Sequence, residues 1–148
     1  MMGKLWVRLA PAMAVALVML VMLGHGHAGP LRPATVASDE VQALVERGVA
    51  VVDVRTPREW RQTGVIPGSR LITAFDEAGR LKPSFAADLR QAVAQDQEVV
   101  VICATGRRSA AISLLMVSEG GYTQVYDATD GIQGWLRSGH PLLSCQTC

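Results

Sequence analysis

Val99-Val100-Val101-Ile102-Cys103-Ala104-Thr105-Gly106-Arg107-Arg108-Ser109 is the stretch on which the reading of this sequence turns. Its first four residues are apolar, β-branched and uninterrupted. So short and uniform a run reads as a strand buried on both faces, as in a parallel sheet. Cys103 ends the run, and a short polar segment follows. Residues 109–119 then read as a helix, which Gly120-Gly121 ends. In open α/β sheets, sites form at the carboxyl ends of strands, and Cys103 stands at such an end.

That position gives the cysteine a chemistry. Backbone N–H groups in a strand-to-helix loop converge on an anion-binding concavity. Gly106 allows a backbone shape that other residues resist. Arg107 and Arg108 add positive charge. All three influences favour thiolate, the reactive form, without a histidine base. A lone cysteine at a strand end is ordinarily a small core residue. A glycine, two arginines and a helix start within six residues weigh against that reading here.

The flanking sequence repeats the strand–helix alternation. Residues 49–54 form a second valine-rich buried strand. Before it, residues 38–46 read as a helix with Ser38 as cap, Asp39 and Glu40 in the first turn, and Gly48 as stop. After it, Pro57 opens a short helix carrying Trp60, and Gly64 and Pro67-Gly68 mark turns. Residues 70–73 read as a short strand, and residues 84–94 as a helix capped by Ser84. Residues 124–126 are the next strand and residues 131–137 the last helix. This pattern predicts an α/β fold with a mainly parallel central sheet. Residues 29–35, with two prolines, read as a linker; residues 36–143 are the domain and residues 144–148 a tail.

The 148 residues suggest one domain, and the first of them read as an address. Lys4 and Arg8 precede an uncharged, almost wholly apolar run over residues 9–23. Gly26 and Ala28 then supply small residues at the minus-three and minus-one positions of a cut. This predicts a secretory signal peptide over residues 1–28, with an uncleaved inner-membrane anchor as the alternative. Export to the periplasm follows in the first case, and the membrane is a partner only in the second. Cleavage leaves 120 residues (148 minus 28), enough for a proper core. Net charge moves from +1 to −1, because 14 basic residues lose Lys4 and Arg8 while all 13 acids remain. So nearly neutral a domain argues against nucleic acid as a partner. Cys103, Cys145 and Cys148 all remain, in an oxidising setting where cysteines pair. An odd count leaves one thiol over. His25 and His27 leave with the leader, and His140 is then the only histidine.

Four segments now carry a resemblance. Val51-Val-Asp-Val-Arg-Thr-Pro-Arg-Glu-Trp60, Gly64-Val-Ile-Pro-Gly-Ser69, Cys103 to Ser109, and Asp130-Gly-Ile-Gln-Gly-Trp-Leu-Arg-Ser-Gly-His-Pro141 resemble, in order, motifs of the rhodanese family. The third is similar to its Cys-x-x-Gly-x-Arg-Ser active-site loop. The likeness covers about residues 36–143, and the leader resembles that of exported rhodaneses of the phage-shock type. It implies the rhodanese-like fold, with helices on both faces of the sheet, and a sulfurtransferase that needs no cofactor or metal. Cys103 would attack the outer sulfur of a donor such as thiosulfate, hold it as a persulfide, and pass it to cyanide or a thiol. Ala104, Thr105, Gly106, Arg107, Arg108 and Ser109 would form the loop that cradles the persulfide. Asp53, Arg55 and Glu59 read as supporting scaffold, and Trp60 and Trp135 as core. Two departures stand out: Val65 replaces a common histidine, and Ala104 a frequent arginine.

Other readings compete. Cysteine phosphatases and arsenate reductases place five residues between cysteine and arginine, whereas four separate Cys103 from Arg108. A Cys-His hydrolase would need His140, which reads as an exposed turn residue. A non-catalytic rhodanese-like module ordinarily lacks the cysteine. The tail, Cys145-Gln-Thr-Cys148, is a C-x-x-C that reads as a disulfide. So short a ring is a poor staple. It therefore points to redox work, as sulfur acceptor from Cys103, resolver of its persulfide, or contact for a thiol–disulfide partner. A closed zinc site would need four ligands, and only three are near even with His140.

Overall fold

Residues 32–148 are described by the structure, a computed structural model. The signal peptide or anchor read at residues 1–28 lies outside them, as does the start of the linker. Among the described residues, no helix is long and apolar enough to cross a membrane.

The run Val99–Ile102 forms strand β4, buried at every position. The chain order is β1 (Ala34–Val36), α1 (Ser38–Glu46), β2 (Ala50–Asp53), α2 (Pro57–Thr63), β3 (Arg70–Leu71), α3 (Phe85–Ala92), β4, α4 (Arg107–Ser118), β5 (Val125–Ala128) and α5 (Gly131–Arg137). The five strands form one sheet in the order β1-β5-β4-β2-β3, every pairing parallel. β4 is central because it carries no polar side chain that would need water on either face.

The two-residue period of a strand sends its side chains to two separate cores. Val99 and Val101 point to one, with Phe85 and Leu89 of α3 and Ile112 and Met116 of α4. Val100 and Ile102 point to the other, with Val41 and Leu44 of α1 and Ile132 and Trp135 of α5. Helices therefore cover both faces, as the α/β reading predicts.

The differences from the sequence reading have local causes. The end of the predicted linker is strand β1, which pairs with β5 in register Ala34 to Tyr126. Three residues too short for an internal pattern become a strand only through a partner some ninety residues away. Ser38 is the first helical residue and not the cap of α1. The Glu40 carboxylate, three residues beyond Ala37, accepts the Ala37 amide at 2.8 Å instead. Ser84 precedes α3 without a side-chain cap bond. α4 begins two residues before the predicted Ser109, so both arginines belong to its first turn.

β2 ends in an ion pair taken fully out of water. The Arg55 guanidinium donates to both Asp53 carboxylate oxygens at 2.7–3.0 Å, to Thr63 Oγ1 at 2.6 Å and to the Gly64 carbonyl at 2.9 Å. Both partners are at most 1 % exposed. The pair ties the end of β2 to the end of α2. Removing one partner of such a pair leaves an uncompensated buried charge and costs about 3–5 kcal/mol. Arg55→Ala should therefore lower the unfolding free energy by about that amount in urea titration. The joint replacement Asp53→Leu with Arg55→Met should lose far less, and equal losses would contradict this account.

Candidate active site

Cys103 leaves β4 with its sulfur turned inward, 1 % exposed. The chain must then reverse into α4 within a few residues. Gly106 makes this possible at φ +91°, a region closed to most side chains. A Cβ there would also run into the Thr129 carbonyl oxygen. With Gly106 so placed, its amide donates to Cys103 Sγ at 3.2 Å. The thiol faces Ser109 Oγ at 3.6 Å, and Ser109 donates to the Gly106 carbonyl at 3.0 Å. The sulfur thus lies at the amino end of the twelve-residue helix α4, where the helix dipole favours negative charge.

The carbonyls of the loop are held by the other glycine-led helix. The Ile132 amide of α5 donates to the Cys103 carbonyl at 2.8 Å and the Gln133 amide to that of Ala104 at 3.1 Å. Gly131 starts that helix at φ +58°, and a Cβ there would come within 2.6 Å of the Cys103 carbonyl oxygen.

Arg108 turns away from solvent to Glu59 of α2, donating at 3.0 and 2.5 Å to the two carboxylate oxygens. Partial burial opposes the Glu59 charge, but Arg108 and the Thr56 amide outweigh it and hold the carboxyl at about 2. The same contacts raise Arg108, through the Glu59 hydrogen bond first, with Cys103 a smaller contributor. Arg107 is exposed. With Phe75, Thr105, Arg108 and Ala111 it lines an open cavity of about 390 Å³ at the mouth of the loop.

The structure therefore places Gly106, Ser109 and Arg108 about the Cys103 sulfur, with Glu59 reached through Arg108, Ala104 tied from behind, and Thr105 and Arg107 outside. Asp53 and Arg55 bond each other, Thr63 and Gly64, one layer beneath. Trp60 and Trp135 are buried, and the Trp135 indole N–H donates to the Pro141 carbonyl at 3.0 Å. His140 departs from the exposed turn residue read in the sequence. Its ring packs at a tilt against Trp135, centroids 4.7 Å apart, and its Nε2 lies 2.8 Å from Asp39 Oδ1. A turn residue beside a buried indole has an apolar surface to cover, which its neighbours in sequence do not reveal. Cys145 and Cys148 are joined as a disulfide, away from the loop along α2.

Three residues at the site escaped the sequence reading as functional. Gly131 and Thr129 shape the loop by close approach, and the Asp130-Gly131 pair was the available signal. Asp127 of β5 is buried beside Ser109, and burial pushes its carboxyl up against the Ser109 hydrogen bond. The strand reads in sequence as residues 124–126, so Asp127 stands one residue beyond it and nothing hints at its burial.

Comparison with known proteins agrees with this fold. Residues 37–138 match the family described as the rhodanese-like domain. The chain is 33% identical over 106 residues to a thiosulfate sulfurtransferase GlpE of Pseudomonas aeruginosa, covering 72% of this chain and 86% of the relative. It is 30% identical over 97 residues to a sulfurtransferase of Allochromatium vinosum, covering 65% and 79%. The crystal structure of Rv0390 from M. tuberculosis superposes with a TM-score of 0.65 at 23% identity, over 77% of this chain and 99% of that one; it bears on the fold alone.

The Glu59–Arg108 clamp has a pH signature. A carboxyl lowered from 4.5 to about 2 on folding stabilises the fold fully above the higher value. That contribution drains away as pH falls from there through the lower one. The Glu59 carboxyl carbon should titrate by NMR near pH 2, and Arg108→Met should move its midpoint up toward the ordinary range. A wild-type midpoint in the ordinary range would break the clamp argument.

Proposed function

The chain belongs to the rhodanese-like domain family, and from that membership we propose that it is a sulfurtransferase working through a Cys103 persulfide. The observation that carries this reading is the sulfur itself, held beside the Gly106 amide at the start of α4. The Cys103 thiolate attacks the outer sulfur of a donor of the thiosulfate type. A new S–S bond forms, the donor's S–S bond breaks, and sulfite departs with the electron pair. The outer sulfur is then carried on Cys103 Sγ, and a thiophilic acceptor, cyanide or a thiol, removes it. This divides one transfer into two displacements.

The loop supports each step. Gly106 N–H already points at sulfur and remains as donor to the negative persulfide. Ser109 fixes the loop through the Gly106 carbonyl. Arg108 is matched by Glu59, which suits it to holding the loop's shape. Arg107 is left to meet an anionic donor at the mouth. A phosphatase would need its loop arginine turned onto an oxyanion, and the Glu59 contacts engage Arg108 elsewhere. The leader read at residues 1–28 supports an exported site of action.

Two experiments test this. The purified chain, reduced and freed of reductant, is exposed to thiosulfate, desalted and weighed intact. The reading expects a mass gain of about 32 Da, one sulfur atom, that Cys103→Ser abolishes and cyanide discharges as thiocyanate. No gain with thiosulfate or with persulfide donors, on a chain whose Cys103 thiol is free, would leave the non-catalytic binding module as the better reading. Arg107→Ala should raise KM for thiosulfate about tenfold, as for one lost charge-assisted contact, and leave kcat within about twofold. A fall in kcat at unchanged KM would contradict the role given to Arg107.

A further inference from the structure

Cys145 and Cys148 are not consumed by the fold. Their disulfide closes a ring of four residues, and so short a ring removes little entropy from the unfolded chain. Nor does it pin a core, since residues 143–147 are exposed apart from a half-buried Cys145. The tail is nevertheless held in place. Leu143 and Val65 exchange both backbone hydrogen bonds, at 2.9 and 2.8 Å. Gly64 leaves room for that approach, because a Cβ there would lie 2.6 Å from the Leu143 carbonyl oxygen. Farther on, Arg61 donates to the Cys148 carbonyl at 2.6 Å. The redox pair is thus docked along α2, the helix whose Glu59 clamps the sulfur loop.

Shared residues relate the tail to the loop. Arg61, Arg58, Thr56 and Phe75 line a groove of about 800 Å³ beside α2. Phe75 also lines the cavity at the mouth of the Cys103 loop, so the two spaces adjoin. Five residues follow the anchor at Leu143. Extended at about 3.3–3.6 Å each, they let Cys148 sweep about 17 Å and Cys145 about 7 Å from Leu143 once the Arg61 contact opens. Cys103 is the one free thiol among the described residues, and these two are the only other cysteines of the chain.

We infer that the reduced Cys145/Cys148 pair is a built-in acceptor that takes the sulfur from Cys103 and releases it as hydrosulfide, a step that rests on the persulfide reading above. One tail thiolate attacks the outer sulfur of the Cys103 persulfide. An S–S bond forms to the tail, the bond to Cys103 breaks, and Cys103 leaves as thiolate. The second tail thiolate then attacks the first tail cysteine's own sulfur. The Cys145–Cys148 bond forms, and the terminal sulfur departs with the electron pair as hydrosulfide. The two tail thiols lose two electrons; the transferred sulfur gains them. With thiosulfate as donor, one thiosulfate and two thiols yield one sulfite, one sulfide and one disulfide. The disulfide of the structure is the spent form, and a dithiol reductant returns it to the start. In the spent form the chain still delivers sulfur to outside acceptors; in the reduced form it makes sulfide.

A single-turnover experiment separates this from the reading beneath it. The full chain is reduced with a dithiol, desalted without oxygen, and mixed with thiosulfate alone. With one equivalent of thiosulfate the inference expects about one sulfide per chain, no retained sulfur by mass, and a tail closed to alkylation; an excess goes on to load Cys103 of the spent chain with the gain of about 32 Da. Cys145→Ser with Cys148→Ser should keep the 32 Da gain on Cys103 and release at least tenfold less sulfide, with thiocyanate formation from cyanide unchanged. Each single serine variant should stop at a persulfide and release none. Equal sulfide from wild type and the double variant, with normal thiocyanate formation, overturns the tail's role. Absence of thiocyanate from every form overturns the persulfide reading instead.

Discussion

Three stretches of backbone meet behind Cys103 at a separation no side chain tolerates, and the site depends on that meeting. The Gly106 position leaves no space before the Thr129 carbonyl, and the Gly131 position none before the Cys103 and Ala104 carbonyls. The close approach lets α5 bind the loop's carbonyls with its first amides while α4 offers its own amino end to the sulfur. An added methyl at either glycine would push one segment away, and the amide aimed at Cys103 would go with it. Glycine here contributes proximity as much as flexibility.

Two ion pairs support the loop, and burial decides what each can do. Asp53 and Arg55 are out of water altogether, so their pairing is structural and unforgiving. Glu59 and Arg108 are part-exposed, with side chains 26 % and 31 % accessible. Screening makes that pair weaker as a staple, yet it spans 49 residues of chain and joins α2 to the first turn of α4. The division also settles charge at the mouth. Arg108 is neutralised by its partner, and Arg107 beside it stays exposed at the cavity with no ion-pair partner among the described residues.

Much of this was legible before any coordinates. The uninterrupted apolar run at 99–102 and the valine-rich run at 49–54 announced a parallel sheet, because strands covered on both faces read as near-continuous apolar runs. Gly106 with two arginines after a strand end announced the site. Less legible was whatever one residue does for another far along the chain. β1 exists only through β5. Glu59 becomes a clamp only when α2 lies against α4, and Asp127 becomes a buried acid only when α4 covers its strand. Ser38 misled because a serine before a helix is a good cap; Glu40 outcompeted it with a carboxylate at the capping-box position.

Val65 joins the domain to its tail. A residue in the Gly64-to-Ser69 turn that is nine-tenths buried and β-branched is suited to strand pairing, and its backbone receives Leu143 in both directions. The turn is held from the other side, because Arg55 bonds the Gly64 carbonyl. One buried guanidinium therefore positions both the strand end beside β4 and the segment on which the tail is anchored. The thiol in the loop and the disulfide on the tail consequently share a rigid reference, though 41 residues separate Cys103 from Cys145. Two sulfur centres tied to one reference through a short arm of chain are the kind of arrangement in which an intramolecular transfer gains from effective concentration.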